Sequence, residues 1–179
     1  NLLLTSFSNG LTAGFGEVIS KGEKQVLRDS YSNYEYTYMI ILMCVCTCMG
    51  VLLLPFVSIY TLHVTDADYI RPFSAILFTL IIFLQNVRIP GLTIICAAGH
   101  FKETRGQAVL EAAINIVVSL SLVWRFGMNG VLFGTVCSYA FRSVEIILYN
   151  RKYLVEGTGK STLKRILRNV LAVIVIICV

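Results

Sequence analysis

Charge is scarce in this sequence. Only 14% of its 179 residues are Asp, Glu, Lys or Arg, whereas soluble domains carry about 25%. That is too few to coat a globule, which excludes an ordinary soluble domain. Histidine is scarcer still, with two, His63 and His100. No Ser/His/Asp or paired-carboxylate spacing repeats, so nothing argues for an enzyme. There is no initiator Met and no basic, short-apolar, small-residue pattern of a signal peptide. The chain opens on Asn1-Leu-Leu-Leu and closes within the apolar run Leu167–Val179. We therefore expect an internal piece of a longer protein, with the preceding half missing.

What is abundant is apolar sequence: 56% hydrophobic residues and a mean hydropathy of +0.76. A spanning helix needs roughly 20 mainly apolar residues. By that measure six segments are expected, at about 1–19, 36–60, 72–98, 107–124, 130–149 and 166–179, the last cut short. The expected fold is an all-α, polytopic transmembrane helix bundle. Six cysteines (Cys44, Cys46, Cys48, Cys96, Cys137 and Cys178) all fall in apolar runs, where thiols act as small hydrophobes. No metal site is expected from them.

The bases follow helix parity. Lys21, Lys24 and Arg28 lie in the connector 20–35, and Lys102 and Arg105 in 99–106. Arg151, Lys152, Lys160, Lys164 and Arg165 lie in 150–165, with Arg168 just beyond. The two intervening connectors hold only Arg71 and Arg125. Positive-inside bias then puts loops 20–35, 99–106 and 150–165 on the cytoplasmic side. His63 and His100 fall on opposite sides and cannot share a site. Tyr31, Tyr34, Tyr36 and Tyr38 before the second segment, with Tyr60 and Tyr69 around the outer loop, suit an interfacial aromatic belt. Asp66 and Asp68 take no role. Gly157-Thr-Gly-Lys-Ser161 is like the end of a phosphate-binding loop. The full pattern needs a glycine where Leu154 stands, and a preceding strand. No nucleotide, other cofactor or nucleic-acid partner is expected.

Small residues at four-residue spacing let helices approach closely in lipid. Gly130, Gly134 and Ser138 recur so, as do Gly10 and Gly14. Gln107, Glu111, Asn115 and Ser119 form one polar stripe that must face another helix or a wet cavity. Arg142 and Glu145 are three apart and can pair. Counted from the expected segment ends, Glu111, Arg142 and Glu145 lie at shallow, comparable depths, which favours a structural interhelical ion pair. Arg88 lies roughly 15 Å deep by helix rise, where insertion costs on the order of 2.5–3.5 kcal/mol. Pro90 and Gly91 follow it, so a kink is expected there. Arg88 is either an anion site in a cavity or a structural cation, capping freed carbonyls or pairing with Glu111. The candidates for substrate contact are Arg88, Glu111, Asn115 and Arg142. Those for pairing and packing are Glu145, Gly130, Gly134, Ser138 and Pro90.

Several stretches resemble a known family. Gly14-Phe-Gly-Glu-Val-Ile-Ser-Lys-Gly22 and Leu54-Pro-Phe56 are followed by Ala97-Ala-Gly-His-Phe-Lys-Glu-Thr-Arg105. Then come Leu110-Glu-Ala-Ala-Ile-Asn115, Ser119 with Leu122, Phe126-Gly127, and Gly130-Val-Leu-Phe-Gly-Thr135. In this order, over roughly residues 5–155, they resemble the polysaccharide flippases. These are the O-antigen and capsule repeat-unit exporters of the multidrug/oligosaccharidyl-lipid/polysaccharide superfamily. The resemblance implies the C-terminal bundle of a transporter of about 12–14 helices in two bundles around a cavity. It implies, as cargo, undecaprenyl-diphosphate-linked oligosaccharide crossing the bacterial inner (cell) membrane, with membrane lipid and a coupling ion, H+ or Na+, as further partners. Other readings are a multidrug or metabolite antiporter, a membrane enzyme of polysaccharide assembly, or a structural membrane subunit. Coupling sites of the antiporters rest on embedded carboxylates, while the deepest ionisable group expected here is a cation.

Overall fold

The computed structural model describes residues 2–62, 71–155 and 168, and of residues 2–7 and 9 the backbone only. The sixth segment (166–179, save Arg168), the glycine-rich stretch 157–161, and His63, Asp66, Asp68 and Tyr69 lie outside the described residues. The described residues form six helices and no strand: α1 (Leu2–Lys21), α2 (Lys24–Tyr60), α3 (Pro72–Val87), α4 (Ile89–Ala97), α5 (Phe101–Phe126) and α6 (Met128–Tyr153). Four stretches are long and apolar enough to cross a membrane: α2, Pro72–Ala97 (α3 with α4), α5 and α6. Helix α1 occupies the first expected segment but is not among the four. Polar Ser8, Thr12 and Glu17 interrupt its apolar run.

The helices run further than the apolar segments predict. The expected connector 20–35 shrinks to a turn at Gly22 and Glu23, and 99–106 shrinks to a turn at Gly99 and His100. Between α5 and α6 only Gly127 remains. Gly22, Gly99 and Gly127 all have positive φ (71°, 72° and 55°), a conformation that glycine adopts without Cβ strain. Polar residues such as Lys102, Glu103 and Arg105 are helix-competent, so at these three turns it is the glycines that stop the helices. Hydropathy marks where lipid ends, not where hydrogen bonding ends.

Helix α2 packs on α1, α3 and α4, α3 and α4 on α6, and α5 on α6. The core between them includes Phe15, Leu27, Tyr31, Tyr34, Tyr38, Leu42, Phe83 and Ile94. This corrects the aromatic-belt expectation for Tyr31, Tyr34 and Tyr38, which are buried, while Tyr36 is exposed. Spacings of three and four put Leu27, Tyr31, Tyr34, Tyr38 and Leu42 on one helix face, and that face meets the bundle. The Tyr34 hydroxyl donates to Ser8 Oγ at 2.8 Å and its ring packs on Phe15 and Tyr38.

Glycine sets the tightest crossing. A Cβ on Gly130 would lie 2.5 Å from the Leu122 carbonyl oxygen, and one on Gly134 would collide with Ser119. Helix α5 therefore lies backbone to backbone on α6. By contrast, a Cβ on Gly10 or Gly14 would meet nothing within 4 Å, so the spacing in α1 marks no such contact among the described residues. Outward, α5 shows lipid-compatible residues such as Val117, Leu120 and Trp124.

The basic turns gather at one end. A Cβ on Gly16 would lie 3.7 Å from the Ala97 carbonyl, and His100 Nδ1 is 2.9 Å from the Tyr149 hydroxyl. Lys24 and Arg28 share a hollow with Tyr153 and Val155. Lys21, Lys24, Arg28, Lys102, Arg105, Arg151 and Lys152 thus belong to the same end of the bundle. At the other, Ser74 donates to Asn129 at 2.8 Å, close in sequence to Arg71 and Arg125.

Candidate functional site

Proline creates the site by what it lacks. Without an N–H, Pro90 cannot bond the Asn86 carbonyl four residues back, and the helix breaks between Val87 and Ile89. Arg88 caps both halves, and its own amide turns to the Asn86 carbonyl. Pro90 sits in the first turn of α4, where a missing donor costs nothing. The guanidinium does not cap freed carbonyls. It binds Glu111 on α5 and lies over the Tyr139 ring on α6, 4.6 Å from its centroid.

Glu111 in turn faces a second arginine. Arg142 Nε is 3.7 Å from Glu111 Oε2, and Arg142 Nη1 donates to Glu145 Oε2 at 2.7 Å. Arg142 Nη2 also reaches the Thr104 carbonyl at 3.4 Å. Two cations and two carboxylates alternate as Arg88, Glu111, Arg142, Glu145 across three elements, with no net charge. The Arg142 side chain is 6% exposed and the others each under a fifth. Groups so desolvated are costly unless paired, and losing one partner of such a set costs about 3–5 kcal/mol.

The longer helices place Glu111, Arg142 and Glu145 further from their helix ends than the apolar segments imply. Glu111 lies about ten residues into α5 and Arg142 about eleven before the end of α6, so both lie roughly 15 Å along their helices. Arg88 is about as far from the end of α4. The three meet because they share a level, which the apolar segment ends concealed.

Asn115 stays outside this network. Its Nδ2 is 3.3 Å from Ser138 Oγ, and its Oδ1 accepts from Ser119 at 3.1 Å. Ser138 is fully buried between α5 and α6, in the interface that Gly130 and Gly134 tighten. Gln107 remains local, its amide beside the Glu103 and Thr104 carbonyls. The polar stripe of α5 is therefore divided: Glu111 ionic, Asn115 and Ser119 interfacial.

Three residues escaped the sequence reading. Glu35 is 2% exposed on α2, about eleven residues from its start. Asn150 on α6 is buried and donates to the Gly91 carbonyl at 3.1 Å. Tyr139 supplies the aromatic face beneath Arg88. Glu35 was assigned to a cytoplasmic connector because the polar sequence before it hid the helix. Its place four residues after Tyr31 was the signal that it shares the inward face.

The fold and site define a helical membrane protein with an ionised polar layer inside its bundle. No family model, curated protein or solved structure matches the chain.

Proposed function

We propose that this chain is part of a flippase that moves undecaprenyl-diphosphate-linked oligosaccharide units across the cytoplasmic membrane for surface polysaccharide assembly. The observation that carries the reading is the Arg88–Glu111 pair at a helix break deep in a span. A guanidinium held by a carboxylate can exchange it for a phosphate oxygen, since both are bidentate acceptors. The cargo diphosphate would compete with Glu111 for Arg88, and Arg142 would hold the released carboxylate. The order of the residue stretches over about 5–155 supports the cargo class. Other partners are membrane lipid, a coupling ion (H+ or Na+) and the remaining bundle of the transporter. The end that carries Lys21, Lys102 and Arg151 faces the cytoplasm in this reading.

The second reading is a multidrug or metabolite antiporter of the same superfamily. Buried Glu35 favours it, because an embedded carboxylate at the level of Arg88 removes the argument that the deepest ionisable group is a cation. Deletion of the gene separates the two. The flippase reading expects lost surface polysaccharide and repeat units stranded on the inner leaflet. Normal polysaccharide with heightened sensitivity to cationic drugs would contradict it and select the antiporter.

A further inference from the structure

The basic end of the bundle holds an open hollow of about 220 Å³, bordered by Lys24, Gln25 and Arg28 of α2 and by Tyr153, Leu154 and Val155 where α6 ends. One water needs about 10–15 Å³ by this measure, so the space admits a polar head group. Its inner wall is fixed. Val155 is 3% exposed and belongs to the same core as Leu27. Its amide and that of Leu154 both donate to the Asn150 carbonyl, at 2.7 and 3.0 Å. The end of α6 is therefore held against the first turns of α2.

Lys24 and Arg28 lie one turn apart on one face of α2, where like charges at four-residue spacing repel. Among the described residues neither forms an ion pair, whereas Lys21 nearby is bound by Glu17 at 2.6 Å. Glu23 and Asp29 are each adjacent to one of the two, and adjacent positions do not face one another on a helix. Lys152 brings a third cation to the rim, 5.0 Å from the centroid of the Tyr153 ring. The depth is that of lipid head groups. Tyr31 and Gly91 border one shared space. Lys24 is seven residues before Tyr31 and Ala97 six after Gly91, so by helix rise both lie roughly 10 Å from that level. Lys24 is thus level with the end of the third span. Basic pockets between helices at that level hold the head groups of anionic lipids.

We infer that this hollow binds an anionic phospholipid of the leaflet at the basic end, with Lys24 and Arg28 holding its phosphate. The lipid relieves their repulsion and ties the start of α2 to the end of α6, and the assignment stands whatever the cargo is. The test uses the purified full-length protein in detergent at physiological ionic strength. Phosphatidylglycerol binding is measured by native mass spectrometry and melting temperature is followed in parallel. Saturable binding and a raised melting temperature are expected, with phosphatidylcholine giving neither. Lys24→Gln combined with Arg28→Gln should weaken binding roughly thirtyfold and abolish the melting shift. The charge-matched control, Lys102→Gln with Arg105→Gln, removes two cations of the same end that do not border the hollow, and should leave both readouts unchanged. All four positions are exposed, so the variants fold. Equal weakening in the control would reveal diffuse attraction by the basic end and overturn the site. So would the absence of saturable binding in the wild type, or equal protection by phosphatidylcholine or by inorganic phosphate.

Discussion

Arg88 is costly as a lone cation and inexpensive as a member of a neutral set. Its pair with Glu111 and the stack on Tyr139 replace hydration with two directed contacts. This coupling has a measurable signature. Glu111→Leu alone should destabilise the protein by about 3–5 kcal/mol, because Arg88 then lies buried against no carboxylate while Arg142 keeps only Glu145. Arg88→Leu combined with Glu111→Leu should cost less than the sum of the single changes, read from denaturation in detergent as a double-mutant cycle. Strict additivity would mean that the pair is not formed. Arg142 and Glu145 were legible as partners from their spacing of three, and Glu111 as a residue that must face inward. The meeting of Arg88 with Glu111 was legible only as one alternative, since sequence separation hides which helices share a level.

Helix α2 shows why pattern has to be read across the lipid boundary. Tyr31, Tyr34, Tyr36 and Tyr38 look alike as a cluster near an interface, yet three turn inward and one outward. Tyr38→Ala should cost about 3–5 kcal/mol as a core deletion. Val45→Ala, at an exposed position of the same helix, should stay within about 0.5 kcal/mol, and similar losses at both positions would contradict the buried face. Helices α5 and α6 make the opposite case, because their glycine spacing alone foretold close approach. Gly134→Leu should force the helices apart, since Ser119 occupies the space a side chain needs. The expected outcome is a sharply lower yield of folded protein. Gly14→Leu in α1, where an added Cβ meets no described atom within 4 Å, should be tolerated. Pro90 announced the break in the third span, but no sequence rule could say that the break opens beside Glu35 and Asn150.

At the scale of the whole molecule, charge asymmetry was the clearest feature of the sequence, and the bundle preserves it. The basic turns at Gly22 and Gly99 and the end of α6 with Arg151 and Lys152 converge at one end although they are far apart in the chain. Single cysteines replacing Glu23, Lys102 and Arg125 in a cysteine-free background test the orientation. A membrane-impermeant thiol reagent applied to intact cells should label Arg125→Cys, and Glu23→Cys and Lys102→Cys only after permeabilisation. Cargo is the least legible property, because sugars are recognised by a cavity that several helices must build together. Its most direct test is surface polysaccharide in cells whose only copy of the full-length transporter carries Arg88→Ala, with transporter abundance measured alongside. The account predicts lost polysaccharide and lipid-linked repeat units held on the inner leaflet at near-normal transporter abundance. Wild-type polysaccharide in those cells would contradict it.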